Sequence, residues 1–313
     1  MGISRFPLHR PLLARLLTAA FAGTATIILF AAYATFAINL LCHAAPALAE
    51  HGASLITADR WDYRRDLYGT LATFYGTIAV SGIALSLAAP VAILAAVFSA
   101  RYAPPSTRRS FKLALDLLAG IPAVAYGFLG VHFVRVIVVR LSGDRSVPAY
   151  GDSYLTAGFV LAIMLVPIIC TLADDAMWSY PLDEELAARS LGFSNAQITW
   201  FLILPRSLPA LLASMLLALA RALSETIAVF LLVGRRDVGL RTLLERFPLL
   251  LEPGQTITSK LASGETLIAQ GSTAHSSALM FLALALTTTV VIVAIAGRRL
   301  LRSFAPDGAT AHL

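Results

Sequence analysis

Charge is scarce in this sequence: 13% of its 313 residues are Asp, Glu, Lys or Arg, and only two are cysteine. Cys42 and Cys170 cannot build a disulfide framework or a repeated metal-ligand spacing, so both read as structural. Also missing are G-x-x-x-x-G-K-S/T, H-E-x-x-H, C-x-x-C and G-x-S-x-G. Without the first, the chain has no usual way to cradle ATP; without the others, no metal centre or nucleophile marks an enzyme. The chain is therefore expected to carry out no bond chemistry, and no cofactor or metal is expected. No low-complexity tract, short-period repeat or separate soluble domain stands out.

What is abundant is apolar. Hydrophobic residues make up 58% of the chain and the mean hydropathy is +0.77, with much of the apolar material in long runs. A soluble core cannot absorb that much, and runs of about 20 residues match the thickness of a bilayer. The chain reads as an all-α integral membrane protein. Its net charge of +6 could suggest nucleic acid, but the basic residues sit in short clusters beside apolar runs. Arg10 with Arg15, Arg101 with Arg108, Arg109 and Lys112, and Arg298 with Arg299 and Arg302 suit anchoring at the inner face of a membrane, in contact with lipid rather than nucleic acid.

Six helices are expected, near residues 16–41, 70–98, 113–139, 154–173, 207–234 and 275–297. The first resembles a secretory signal ending in "APALAE", but its apolar stretch is too long for a signal core and is read as an uncleaved span. Six spans put both ends of the chain on one side. Clustering of Lys and Arg at helix ends makes that side cytoplasmic. The expected organisation is a cytoplasmic segment 1–15, a transmembrane domain 16–297 and a cytoplasmic tail 298–313.

The loop 174–206 carries the most information. In "LAARSLGFSNAQITWFLILP", Leu186, Ala187 and Ala188 lead to Gly192, and after nine residues come Leu202, Leu204 and Pro205. A short helix ending at a glycine, a polar turn and a helix re-entering at Leu-Pro make a compact knob suited to plugging into a partner. An ordinary helix-turn-helix connection would need the same parts. The spacing resembles the E-A-A-x-x-x-G loop of ABC-importer permeases, and the resemblance implies docking into an ATP-hydrolysing subunit. Leu186 stands at the glutamate position and Leu202 at the isoleucine. The first change removes any ionic contact made there unless Glu185 supplies it.

Three further stretches, "LLAGIPAVAYGFLG", "ARALSETIAV" and "PGQTITSKLA", resemble permeases of Pst phosphate-uptake systems, the last two favouring the PstC type over its PstA sibling. The resemblance implies a type I importer fold with six helices in a bacterial inner membrane. It also implies partners: a second, PstA-like permease, an ATPase dimer and a periplasmic phosphate-binding protein, with phosphate as cargo. The residues alone leave room for another oxyanion such as sulfate, molybdate or phosphonate, or for a membrane scaffold that senses phosphate without carrying it.

The candidate path residues come from charge inside apolar runs. Gly120, Pro122, Gly127 and Gly130 interrupt the third run, and broken helices at membrane depth occur where they are buried in protein or line a cavity. His132 and Arg135 follow it and are weaker candidates. In the fifth run Arg221 lies near the bilayer middle, where a charge costs about 2.5–3.5 kcal/mol. Glu225, four residues on, would share its helix face. The two charges either fix helix packing or form a gated anion path in which the guanidinium meets oxyanion oxygens transiently. Ser214, Ala218 and Ala222 on the same helix would let the second permease approach closely. Asp116 is expected to pair with Lys112.

Overall fold

The computed structural model describes residues 12–141, 151–237, 239 and 249–303. Six helices are long and apolar enough to cross a membrane: Thr18–His51, Leu71–Tyr102, Ala123–Arg140, Tyr154–Trp178, Asn195–Leu223 and Thr273–Leu301. They lie on the six expected runs but differ in extent. The first helix, Leu12–His51, passes through Pro46 and continues well beyond Leu41. The fourth runs on past residue 173 to Trp178, and the fifth starts at Asn195 rather than near residue 207. The sixth continues as helix through Arg298 and Arg299 to Ser303.

Burial ranks the spans. In its most apolar stretch the fourth span is 61% buried within the chain, the first only 6%. The fourth is thus the centre of the bundle, and the first lies along its edge. Close packing at the centre comes from small side chains. Ala84, Ala88, Ala92 and Ala96, spaced by four on the second span, are all buried in one core with Ala157, Leu161, Leu165 and Ile169 of the fourth. At Gly158 a Cβ would lie 2.6 Å from Ile83 Cγ2, so the two backbones approach where only glycine fits.

The small-residue row on the fifth span is used inside the chain. Ser214, Ala218 and Ala222 are all buried, which corrects the expectation that they await a second permease. The sixth span packs on this helix, with the Cβ position of Gly297 lying 3.1 Å from Leu216 Cβ.

Beyond the end of the bundle opposite the 182–190 helix, a two-stranded antiparallel hairpin, Trp61–Asp62 with Leu67–Tyr68, covers the start of the second span. A second small core joins it to the first and sixth spans through Ala44, Ala47, Leu55, Trp61, Tyr68, Ile257, Ala278 and Leu282. The loop after the fifth span folds back here. Gly254 donates to the carbonyl of Val233, and Arg236 donates to that of Gly254.

Candidate translocation site and coupling loop

Both interrupted helices break at one level. The run preceding the third span forms Pro105–Gly120, stops, and restarts as Ala123–Leu129. Ile121 is extended because the ring of Pro122 disfavours helical geometry in the residue before it, and Pro122 has no N–H to continue the ladder. The Leu118 carbonyl at the break accepts from the Tyr126 hydroxyl at 2.8 Å and from the Ile121 N–H at 3.3 Å. Gly120 and Pro122 flank the interruption. Gly127 does not break the helix: a Cβ there would lie 3.1 Å from Ala228 Cα, so this glycine serves close approach. Gly130 does the same against Leu232 and Val160, and it opens a five-residue π-helical stretch to Val134.

The fifth span ends at Leu223 and restarts as Ile227–Leu232, which corrects the expectation of one helix through 234. Neither Gly nor Pro stands at Ser224–Glu225–Thr226. Hydroxyls compete for the backbone instead: Ser224 Oγ donates to the Arg221 carbonyl at 3.0 Å and Thr226 Oγ1 to the Ser224 carbonyl at 3.3 Å. Because Gly127 faces Ala228 and Gly130 faces Leu232, counting back along both segments sets the two interruptions side by side.

Arg221 and Glu225 therefore flank the end of a helix rather than sharing one, yet they still meet. Arg221 Nη2 lies 3.1 Å from Glu225 Oε2; the arginine side chain is 50% exposed and the glutamate 4%. Depth follows from a backbone contact. The Leu232 carbonyl accepts from the N–H of Ser153 at the head of the fourth span. Arg221 is eleven residues back across the break, about 16 Å at helical rise, while the 25-residue fourth span is about 37 Å long, so the pair lies level with the middle of that span.

The weaker candidates do not join this pair. Arg135 forms an ion pair with Asp152 and donates to the Leu231 carbonyl at 3.3 Å, tying together the ends of the third span, the fourth and the short 227–232 helix. His132 is exposed, its ring 4.2 Å from that of Phe128.

The 174–206 segment forms the expected knob. Helix Leu182–Ser190 ends at Gly192 in the left-handed region (φ +89°), and Ser194 with Gln197 makes a capping box that starts the next helix at Asn195. Leu202, Leu204 and Pro205 lie within the helix that starts at Asn195 rather than at its beginning. Glu185 accepts from Arg101 at the end of the second span and from Arg189, each at 2.8 Å, which holds its carboxyl below its usual value. Glu185, one residue upstream of Leu186, thus makes ionic contacts within its own chain. Ala188 is buried beneath the helix, while Leu182, Leu186, Leu191 and Phe193 are exposed. Apolar side chains massed on an exposed knob fit a covered surface.

Sequence reasoning missed what anchors this end. Asp174, read as the start of a loop, is buried in the fourth span and takes Arg108 at 2.7 Å and Lys112 at 2.9 Å. Lys112 reaches across to Asp174 and Asp175 rather than to Asp116. At the opposite end sequence reasoning also missed a fully buried Lys260, held by Asp237 at 2.6 Å and Glu265 at 3.0 Å over the ring of Trp61. Its only signal was its place in "PGQTITSKLA". Among the described residues no cluster of three or more His, Cys, Asp or Glu could hold a metal.

Six apolar spans packed around a buried fourth helix, with two adjacent helix breaks and an apolar knob at one end, define a multi-pass membrane protein. The family model for a "Binding-protein-dependent transport system inner membrane component" matches residues 88–307, and the chain belongs to that family. It is 32% identical over 289 residues to a protein of Xylella fastidiosa (strain 9a5c) named "Phosphate transport system permease protein PstC", covering 87% of this chain and 86% of the relative. A protein of the same name from Mycobacterium leprae (strain TN) is 31% identical over 252 residues, 75% of this chain and 77% of the relative. Among solved structures, a bacterial alginate ABC transporter chain superposes with a TM-score of 0.56 at 16% identity, over 96% of this chain and 99% of that one. A chain of the inward-facing MetNI methionine ABC transporter superposes with a TM-score of 0.51 at 17% identity, over 76% of this chain and 94% of that one. Identities this low establish the fold alone, and the fold is that of ABC-transporter permeases.

Proposed function

We propose that this chain is a permease subunit of an ATP-driven importer of inorganic phosphate in a bacterial inner membrane, with both ends of the chain cytoplasmic. The observation that carries the reading is similarity over 87% of the chain to a protein named as a phosphate permease. Its partners would be a second, PstA-like permease, a pair of ATPase subunits, one of them docked on the apolar knob around Leu186 and Leu191, and a secreted phosphate-binding protein. Arg221 would meet the anion at mid-depth, with Glu225 preventing the guanidinium from becoming a trap.

Uptake of radiolabelled phosphate by a deletion strain with and without this chain tests the cargo. Arsenate should compete and sulfate should not; competition by sulfate as strong as by arsenate would overturn phosphate as the cargo. The path is tested by Arg221→Met with Glu225→Gln, which removes both charges at similar volume and leaves neither partner buried alone. The assembled double variant should transport less than about a tenth of wild type, equivalent to about 1.4 kcal/mol on the limiting barrier. Wild-type uptake would leave the pair as packing.

A further inference from the structure

We propose that Arg101 is the positioning residue through which the coupling loop moves the membrane spans: its ion pair with Glu185 ties the 182–190 helix to the second span and, through it, to the fourth. The inference rests on the reading of residues 174–206 as the ATPase-docking loop and adds the contact by which a push on that loop reaches the bundle.

The 182–190 helix meets the bundle at few points. Of its residues only Glu185 and Ala188 are buried. Ala188 shares a core with Val97 and Ala100 of the second span and with Ile198. Apolar contact of that kind is non-directional and can slide. Glu185 Oε1 lies 2.8 Å from Arg101 Nη2, with only 12% and 13% of the two side chains exposed. A charge-assisted bond fixes a direction, and one closed off from water cannot be opened without stranding its charges. Among the described residues Glu185 is the one ion-pair partner of Arg101, whose Nε is buried without a hydrogen-bond partner.

The neighbouring glutamate makes a weaker tether to a different span. Glu184 pairs with Arg206 at 2.5 Å and accepts from the Tyr180 hydroxyl at 3.0 Å, but here 44% of the glutamate and 56% of the arginine side chain are exposed. Exposed pairs are screened by solvent and hold little. A helix displaced by a docked partner therefore gives way at Glu184 and holds at Glu185, so it moves with the second span rather than with the fifth.

What lies beyond Arg101 carries the movement on. Arg101 belongs to the π-helical turn Phe98–Tyr102 that ends the second span, closed by the Ala103 N–H on the Phe98 carbonyl at 2.9 Å. Such turns gather at functional sites. From there the alanine row and the close approach at Gly158 leave no slack between the second and fourth spans, and close-packed interiors transmit strain. The head of the fourth span holds the Leu232 carbonyl through the Ser153 N–H at 3.1 Å, and Leu232 ends the short helix that begins just after Glu225. A pull on Arg101 thus arrives on the Glu225 side of the break, while Arg221 belongs to the fifth span.

The test uses the complete complex of both permeases and the ATPase pair in proteoliposomes with phosphate-loaded binding protein, and reads ATP hydrolysis and uptake of radiolabelled phosphate together. Arg101→Met keeps the stem volume, leaves Glu185 paired with Arg189 at 2.8 Å and does not touch the exposed Leu182, Leu186, Leu191 and Phe193, so the complex should assemble. It should hydrolyse ATP within about twofold of wild type while uptake falls about tenfold or more, raising the ATP hydrolysed per phosphate about fivefold or more. Arg206→Met should leave that ratio within about twofold of wild type. Arg101→Cys with Glu185→Cys, in a Cys42→Ser background that removes the exposed native thiol, lacks the ion pair; joining the two thiols with a short bis-methanethiosulfonate should return the ratio towards wild type in the same protein. Normal uptake by Gly192→Asp would remove docking itself, so the docking reading is judged by that variant and transmission by Arg101. An unchanged ratio in Arg101→Met, a loss of hydrolysis and uptake in parallel that the thiol bridge does not reverse, or a ratio disturbed equally by Arg206→Met would overturn the proposal.

Discussion

Replacing Lys260 by methionine should destabilise the fold at the end opposite the coupling loop, and the size of the loss can be worked from its surroundings. The ammonium is fully buried, bridges Asp237 and Glu265 at 2.6 and 3.0 Å, and sits 4.3 Å from the centre of the Trp61 ring. Glu265 also accepts from Trp61 Nε1 at 2.8 Å and lies 3.2 Å from His275 Nε2, so one carboxylate joins the hairpin, the 257–265 segment and the sixth span. Methionine matches the stem of lysine but leaves two carboxylates facing each other. Stranding a buried charge costs about 3–5 kcal/mol. Asp237 keeps a third of its side-chain surface in contact with solvent, which favours the lower figure, about 3 kcal/mol. At roughly 2–4 °C per kcal/mol, the melting temperature of the purified protein should fall by roughly 6–12 °C, read from tryptophan fluorescence. The loss should depend on pH in a fixed direction. Burial already raises the Asp237 carboxyl above its ordinary 3.8, against the pull of Lys260, and removing the cation raises it further. A carboxyl with a folded value above its unfolded one binds more protons when folded, so the variant regains stability as pH falls from 7 towards 4. Adding Asp237→Asn and Glu265→Gln should recover most of the loss at pH 7. An unchanged melting temperature, or a deficit equal at pH 7 and pH 5, would refute the account of Lys260 as a buried counter-ion.

Three other outcomes follow from the coupling-loop end. Gly192 has φ +89° and open space around its Cβ position, so Gly192→Asp should assemble but place a charged side chain in the docking surface; phosphate uptake should fall below about a tenth while Gly192→Ala retains more. Normal uptake by the assembled Asp variant would remove the docking role. Glu185→Gln strands the largely buried Arg101 and should lower the melting temperature, by about 3 kcal/mol of stability. Since the Glu185 carboxyl is depressed below 4.5, its contribution is complete above that value and fades as pH drops through the folded one, so wild type and variant should converge only in melts below about pH 4.5. Finally, the purified chain should neither bind nor hydrolyse ATP until the ATPase subunit is added, as equilibrium binding of labelled nucleotide would reveal.

How much could be read in advance depended on the range of the interaction. All six spans were legible because a run of apolar residues registers locally, whatever it packs against. Their ends were less so. Asp174 reads as a loop residue in sequence, yet its partners Arg108 and Lys112 lie over sixty positions away and let the helix continue to Trp178. The spacing of Arg221 and Glu225 revealed their pairing, but the break between them was hidden because hydroxyls at Ser224 and Thr226, not Gly or Pro, disrupt the ladder. Small residues at intervals of four on the fifth span foretold close packing, but the partner expected there, a second permease, was the wrong one, because the spacing does not distinguish it from the chain's own helices. Lys260 was invisible for the same reason as Asp174: nothing local announces that a lysine will be buried between two carboxylates.

The asymmetry within the mid-depth pair bears on what surrounds it. Glu225 is closed off by its own chain, whereas half of the Arg221 side chain is uncovered. A guanidinium open to hydrocarbon at that depth would carry the insertion penalty with no relief from snorkelling, since about 16 Å of helix separates it from the head of the fourth span. The uncovered half must therefore meet water or another polypeptide. Both interruptions open at this same level, and irregular backbone inside a bilayer is tolerated only against protein or a water-filled cavity. The half-open arginine at one break and the second broken helix beside it thus require the same thing of the same place. In the proposed importer, a second permease enclosing a narrow aqueous path there would meet that requirement and would let an anion replace water on Arg221 without the guanidinium facing lipid.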